Sequence, residues 1–237
     1  MTTPMTAPSY VKLIRKDRTH NGLLFQEGLN CLKETETFDE RRECGPGGLY
    51  FCKEEDFGYW ICMYKEDLGY VATVTLCPDS NCVAMDSQHK LKTDRFLLGP
   101  FQPIEKFWTS ERAKHVVQQD GGALQFVPVE HQTAELCLEA VQQNGYALQV
   151  VPLEHRTTDI CLSAVQNNGY AIQFVPVEHR TATLCVAAVQ QNGCALRFIP
   201  MELKTATLCS TAVQQTKNAL QYVPEEFKSV LMDASVV

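Results

Sequence analysis

The chain has 237 residues, of which 45% are hydrophobic and 21% charged, and a net charge of −7. Residues 1–115 carry 15 Lys+Arg against 17 Asp+Glu, and residues 116–237 carry 6 against 11. Neither half has the basic excess that binding along a phosphate backbone requires, so nucleic acid is excluded as the direct partner. No apolar run approaches the ~20 residues of a membrane span. The start MTTPMTAPSYVKL lacks the basic-then-apolar order of an export signal. With that start and an odd count of 11 cysteines, free thiols in a reducing compartment are expected.

Residues 1–106 read as an α+β head domain. SYVKLIR, GLYFC, YVATVTL and DRFLL are rich in strand formers, and CPDSNC is a turn between strands. GYWICMY is a further strand candidate that competes with a helix across residues 54–64. Cys44, Cys52, Cys77, Cys82 and His89 offer the spacing C-x4-C but no second close pair, so no metal site is expected. GPFQP reads as a linker.

Residues 107–237 are a repeat array with a period of 24 and no insertions, its units starting near Val117, Val141, Val165, Val189 and Val213. Thr133, Thr157, Thr181 and Thr205 stand where helix N-caps are wanted, with Thr109 one period before and Ser229 one period after. The main helix of a unit is expected at residues 134–144, with Leu136, Cys137, Ala140 and Val141 on its apolar face. Gly121, Gly145, Gly169 and Gly193 follow, where a left-handed C-cap is expected. A second short helix, YALQVVP, is closed by Pro152 and its counterparts Pro128, Pro176, Pro200 and Pro224. Such hairpins bury their apolar faces only when stacked, which predicts a short all-α solenoid.

Equivalent residues of stacked helices lie ~8–10 Å apart, too far for Cys137, Cys161, Cys185 and Cys209 to share a metal; they are expected in the core. The same distance separates the ladder Glu130-His131, Glu154-His155 and Glu178-His179. That ladder is either a solvated stripe or a protein-binding one.

The unit LCLEAVQQNGYALQVVPLEHRT resembles a repeat of giant nucleocytoplasmic DNA viruses and some bacteria. The order LIRKDRTHNGLLFQEGLN, CGPGGLYFC, VTLCPDSNCVAMD and KLKTDRFLLG resembles a domain of marseillevirus- and mimivirus-type proteins that stands ahead of repeat arrays. A second resemblance concerns GPGGLYFC. ADP-ribosyltransferases carry a histidine strand, a GxGIYF-like strand and a later acid, matched here by His20, Tyr50 and Asp94. By that resemblance, Asn21, Gly22, Gly47 and Gly48 would line an NAD site, the Tyr50 ring would stack on nicotinamide, and Asp94 would stabilise an oxocarbenium-like state. The glycine after His20 is displaced by one position, and aspartate is one methylene shorter than that family's glutamate.

The leading expectation is a non-catalytic viral interaction protein without a cofactor. Its array would bind a host or virion protein in the host cytoplasm or viral factory, with homo-oligomerisation left open. The alternatives are an NAD-binding or ADP-ribosyltransferase-like head and a structural component packaged in the virion.

Overall fold

The computed structural model describes residues 9–20, 23–33, 36–39, 48–64, 67–85 and 89–228. The chain divides into two compact units, Met1–His115 and Val116–Val237.

The first unit is built on an antiparallel sheet. Its strands are β1 (Tyr10–Arg15), β4 (Gly28–Cys31), β5 (Leu49–Lys53), β6 (Leu68–Leu76), β7 (Cys82–Ala84), β8 (Leu91–Thr93), β9 (Arg95–Leu98) and β10 (Gln102–Pro103). They run in the order β4-β9-β6-β1-β5-β8-β7, with β10 beside β6. The short strands β2 (Thr19–His20) and β3 (Leu23–Leu24) pair with each other. Ile14, Leu49, Phe51, Ala72, Val74, Phe96 and Leu98 bury one face, joined by Phe25. The four sequence segments rich in β-formers thus supply β1, β5, β6 and β9.

GYWICMY lies in helix α1 (Phe57–Tyr64). Phe57 and Ile61, four residues apart, are both buried, a helical and not an alternating spacing. Phe57 packs against Phe107 at 4.9 Å and Trp108 at 5.3 Å between ring centroids. Arg112 donates from Nε to Glu54 Oε1 at 2.9 Å and from Nη1 to the Phe107 carbonyl at 2.9 Å. These contacts hold residues 107–115 in the first unit, beyond the composition break at 106. Helices α2 (Ile104–Phe107) and α3 (Ser110–Gln119) follow the sheet.

In the second unit each of the four repeats across residues 121–215 contributes two 3-10 turns and one α-helix. The helices are α4 (Ala134–Gln143), α5 (Thr158–Asn167), α6 (Ala182–Gln191) and α7 (Ala206–Gln215), each packed on the next. Leu136, Cys137, Ala140 and Val141 are buried, as are their period-24 equivalents through Ala212. The cysteines of this row sit in the core, where burial pushes the Cys137 thiol up to about 11. The expected caps form: the hydroxyls of Thr133, Thr157, Thr181 and Thr205 accept from the backbone N–H three residues on, at 3.2 to 3.4 Å. Ser229 lies outside the described residues. Thr157→Ala is expected to cost about 1 kcal/mol in a denaturant titration; no change would show that the hydroxyl bond contributes nothing.

The second helix of these four units is instead two 3-10 turns, such as Gly145–Val150 and Leu153–His155, on either side of Pro152. The proline keeps Val151 extended at φ −63°, ψ 128°, which ends the first 3-10 segment at Val150.

The repeat glycines are a second correction. None has a positive φ; among the described residues Gly28, at 89°, is the glycine that does. Asn144, Asn168 and Asn192 cap the following turn instead, accepting from the N–H two residues on at 3.0 to 3.1 Å. The glycine is needed because the next repeat comes so close. A Cβ on Gly145 would lie 2.4 Å from the Ala164 carbonyl oxygen, and the same clash recurs at Gly169 against Ala188. In return the Gly145 N–H donates to Asn167 Oδ1 of that next repeat at 2.8 Å.

Candidate functional site

The repeat array presents one regular surface. After each proline the chain enters the turns Val129–His131, Leu153–His155, Val177–His179 and Met201–Leu203. Their first residues are large, apolar and in the open: Val129 is 64% exposed, Leu153 71%, Val177 61% and Met201 61%. Glu130, Glu154, Glu178 and Glu202 follow them and are also exposed, whereas His131 and His155 are half-buried and His179 exposed. The expected Glu/His ladder is therefore the flank of an apolar ridge. The signal for that ridge was an apolar residue directly after proline at one phase of four successive units.

The residue after each His or Leu holds the turns together. Arg156 donates from Nε to the Val151 carbonyl at 2.9 Å and from Nη2 to Gln149 at 3.1 Å, both in its own repeat, and from Nη1 to the Phe174 carbonyl of the next at 2.8 Å. Arg180 repeats this on Val175, Gln173 and Phe198. Lys204 reaches the Tyr222 carbonyl at 3.2 Å. In the first repeat Gln132 donates only within its own unit, to Leu124 and Val127. Arg156, Arg180 and Lys204 are thus held against backbone oxygens, while Glu130, Glu154, Glu178 and Glu202 stay exposed along the ridge.

The first unit contains a cavity of about 70 Å³ lined by β1, His20 of β2, Tyr50 and Cys52 of β5, Trp60 of α1, Leu68 and Lys90. His20 and Tyr50, two of the three residues matched to the transferase pattern, meet here edge to face at 6.3 Å between ring centroids. The third does not line the cavity. Asp94 accepts from the Asn81 backbone N–H at 3.1 Å and from its side chain at 2.9 Å, and pairs with Arg95 at 3.5 Å. Gly48 makes room for a side chain of the protein itself: a Cβ there would lie 2.3 Å from Lys92 Cε. Lys92 is wholly buried, its Nζ 3.7 Å from Asp39. Asn21, Gly22 and Gly47 lie outside the described residues.

Lys12, overlooked in the sequence because it reads as the solvent side of its strand, is only 5% exposed. Its Nζ donates to the Tyr50 carbonyl at 2.7 Å and sits 4.3 Å from the Phe25 ring centre. Burial pulls its pKa down to about 7, opposed by Cys52 and reinforced by Lys90. His20 is drawn down to about 4, first by burial and then by the charges of Lys12, Lys90 and Arg15. Burial pushes the Cys52 thiol up to about 12, so it stays protonated and is no nucleophile at neutral pH. No group of three or more His, Cys, Asp or Glu suited to a metal occurs among the described residues. No helix among them is long and apolar enough to cross a membrane.

A stack of capped helices joined by proline-broken turns defines the second unit as a helical repeat module. The chain belongs to the DUF4116 family, a domain of unknown function whose model matches four overlapping stretches, residues 110–156, 133–180, 157–204 and 183–228. Two curated relatives come from Acanthamoeba polyphaga mimivirus. Putative ankyrin repeat protein L100 is 31% identical over 98 residues, 40% of this chain and 16% of the relative. Uncharacterized protein R869 is 33% identical over 57 residues, 24% of this chain and 41% of the relative. The matched regions thus cover less than half of either relative. No solved structure matches.

Proposed function

We propose that the repeat array is a protein-binding surface. The observation that carries this is the ridge Val129, Leu153, Val177 and Met201, exposed at one phase of four consecutive repeats. Exposed apolar residues scattered singly need no explanation, but an ordered row of them marks an interaction site. Each is followed by an exposed glutamate, and residues 116–237 carry 6 basic against 11 acidic residues. The fitting partner is an extended segment that alternates apolar and basic side chains. The ankyrin-repeat name of one mimivirus relative supports an interaction role. The partner is a host or virion protein, met in the host cytoplasm, the viral factory or the particle.

Transfer chemistry in the first unit would need an acid beside His20 and Tyr50, and Asp94 is committed to Asn81 and Arg95. The non-catalytic reading is therefore preferred over an NAD-dependent one.

The test is selection of a random peptide library on the full chain. Enriched peptides are expected to combine apolar and Lys/Arg residues. The triple variant Leu153→Ser, Val177→Ser, Met201→Ser is expected to weaken them at least ten-fold while its circular dichroism stays unchanged. Peptides bound equally by the variant would place recognition elsewhere and defeat the reading.

A further inference from the structure

We propose that the cavity of the first unit binds a small oxyanion, a phosphate or sulfate group, between Lys12, Arg15 and Lys90. Three cationic side chains converge on its walls, and among the described residues no carboxylate lines it. Apart from His20 and Cys52, the rest of the lining is aromatic or apolar: Val11, Leu13, Phe51 and Leu68, with Tyr50 and Trp60. Lys90 Nζ stands 4.1 Å from the Tyr50 ring centre and 5.3 Å from that of Trp60, so both rings share its charge. Trp60 is anchored in turn by donating Nε1 to the His89 carbonyl at 2.5 Å.

A buried ammonium is costly in an apolar wall unless it is paired. Among the described residues Lys12 has one carbonyl and one ring as partners, and a lysine carries three donors. An anion in the cavity offers the compensating charge. The volume of about 70 Å³ compares with the ~10–15 Å³ that one water needs on the same measure, so a tetrahedral oxyanion enters. The rings at the wall suit an ester group carried on that oxyanion.

The charge balance sets the pH dependence. The groups around Lys12 are Arg15 on its own strand, His20 on β2, Cys52 on β5, Asp56 ahead of α1, and Lys90 before β8. Asp56 is held by His89 Nδ1 at 2.7 Å. His20 is drawn to about 4 and the Cys52 thiol to about 12, so neither changes charge near pH 7, where burial brings Lys12. Anion binding requires its protonated form, so affinity is highest below pH 7 and falls as pH rises through that value.

Sulfate is the first probe, because its own charge is constant over this range. Calorimetric titration of the full chain is run at pH 6.0 and pH 8.5, with ionic strength held by chloride. Sulfate is expected to bind at pH 6.0 and to weaken at least ten-fold at pH 8.5. Lys90→Gln is expected to weaken it at least ten-fold at pH 6.0, and Lys12→Met to remove both the binding and its pH dependence. Lys12→Met keeps the buried volume, and Lys90→Gln lies near the surface, so at least one variant reports with the fold intact. Phenyl phosphate distinguishes the sources: tighter binding than inorganic phosphate assigns the site to a phosphate ester, and equal binding to the free ion. No sulfate binding at pH 6.0, or binding indifferent to both substitutions, overturns the proposal.

Discussion

Gly169→Ala is expected to destabilise the repeat array by about 2–3 kcal/mol, the cost of forcing extra atoms into a packed site. At a compatible position the same change stabilises a protein by ~0.4–1 kcal/mol, because alanine restricts the unfolded chain. The sign therefore separates two readings of the repeat glycines. The backbone at Gly169 is not left-handed, so alanine meets no conformational penalty there. It meets the next repeat: the new Cβ would lie 2.4 Å from the Ala188 carbonyl oxygen and 3.1 Å from the Asn192 nitrogen. Both are backbone atoms of one capped helix end and cannot swing aside as a side chain would. Relief requires the two repeats to part, and that loosens Ala171 and Ile172, which are fully buried between them. Urea titration followed by far-ultraviolet circular dichroism measures the effect. A neutral or stabilised variant would show that the repeats approach less closely than described.

Arg180→Met is expected to cost the array about 2–3 kcal/mol. The guanidinium joins its own repeat to the next through bonds of 2.9, 2.6 and 3.2 Å to three carbonyls. A bond from a charged donor contributes about 1.5–3 kcal/mol net, but the group is only half-buried, so water restores part of what the methionine loses. Met keeps the stem that packs against the turn, which isolates the polar loss. Arg180→Lys is expected to recover less than half of it, since one ammonium cannot span three carbonyls set in a fork. Thermal unfolding should fall by roughly 4 °C per kcal/mol for a unit of this size. An unchanged midpoint would mean that packing alone joins the repeats.

How far each feature could be read in advance depended on the range of the interaction behind it. Helices α4 to α7 and their threonine caps were legible because cap, apolar face and period lie within one 24-residue window. The role of the glycines was not, because the atom that excludes a side chain at Gly169 belongs to Ala188 of the next repeat. The 3-10 turns were misread as a helix since Ala147, Leu148 and Val151 satisfy helical spacing, and the extended residue before Pro152 outweighs it. His20 and Tyr50 meet at the cavity, but Asp94 was assigned by its order in the chain, and order does not reveal that Asn81 engages it. Lys12 was invisible for the opposite reason. A lysine between Val11 and Leu13 reads as the solvent side of a strand, and only the positions of Tyr50 and Phe25 show it to be inside.

The ridge is the feature on which the functional account rests. Hydrogen exchange of the full chain with and without a library-selected peptide tests it most directly. The account predicts slowed exchange at the turns Val129–His131, Leu153–His155, Val177–His179 and Met201–Leu203, with the first unit unchanged. Slowed exchange confined to residues 9–115, with all four turns unaltered, would contradict it.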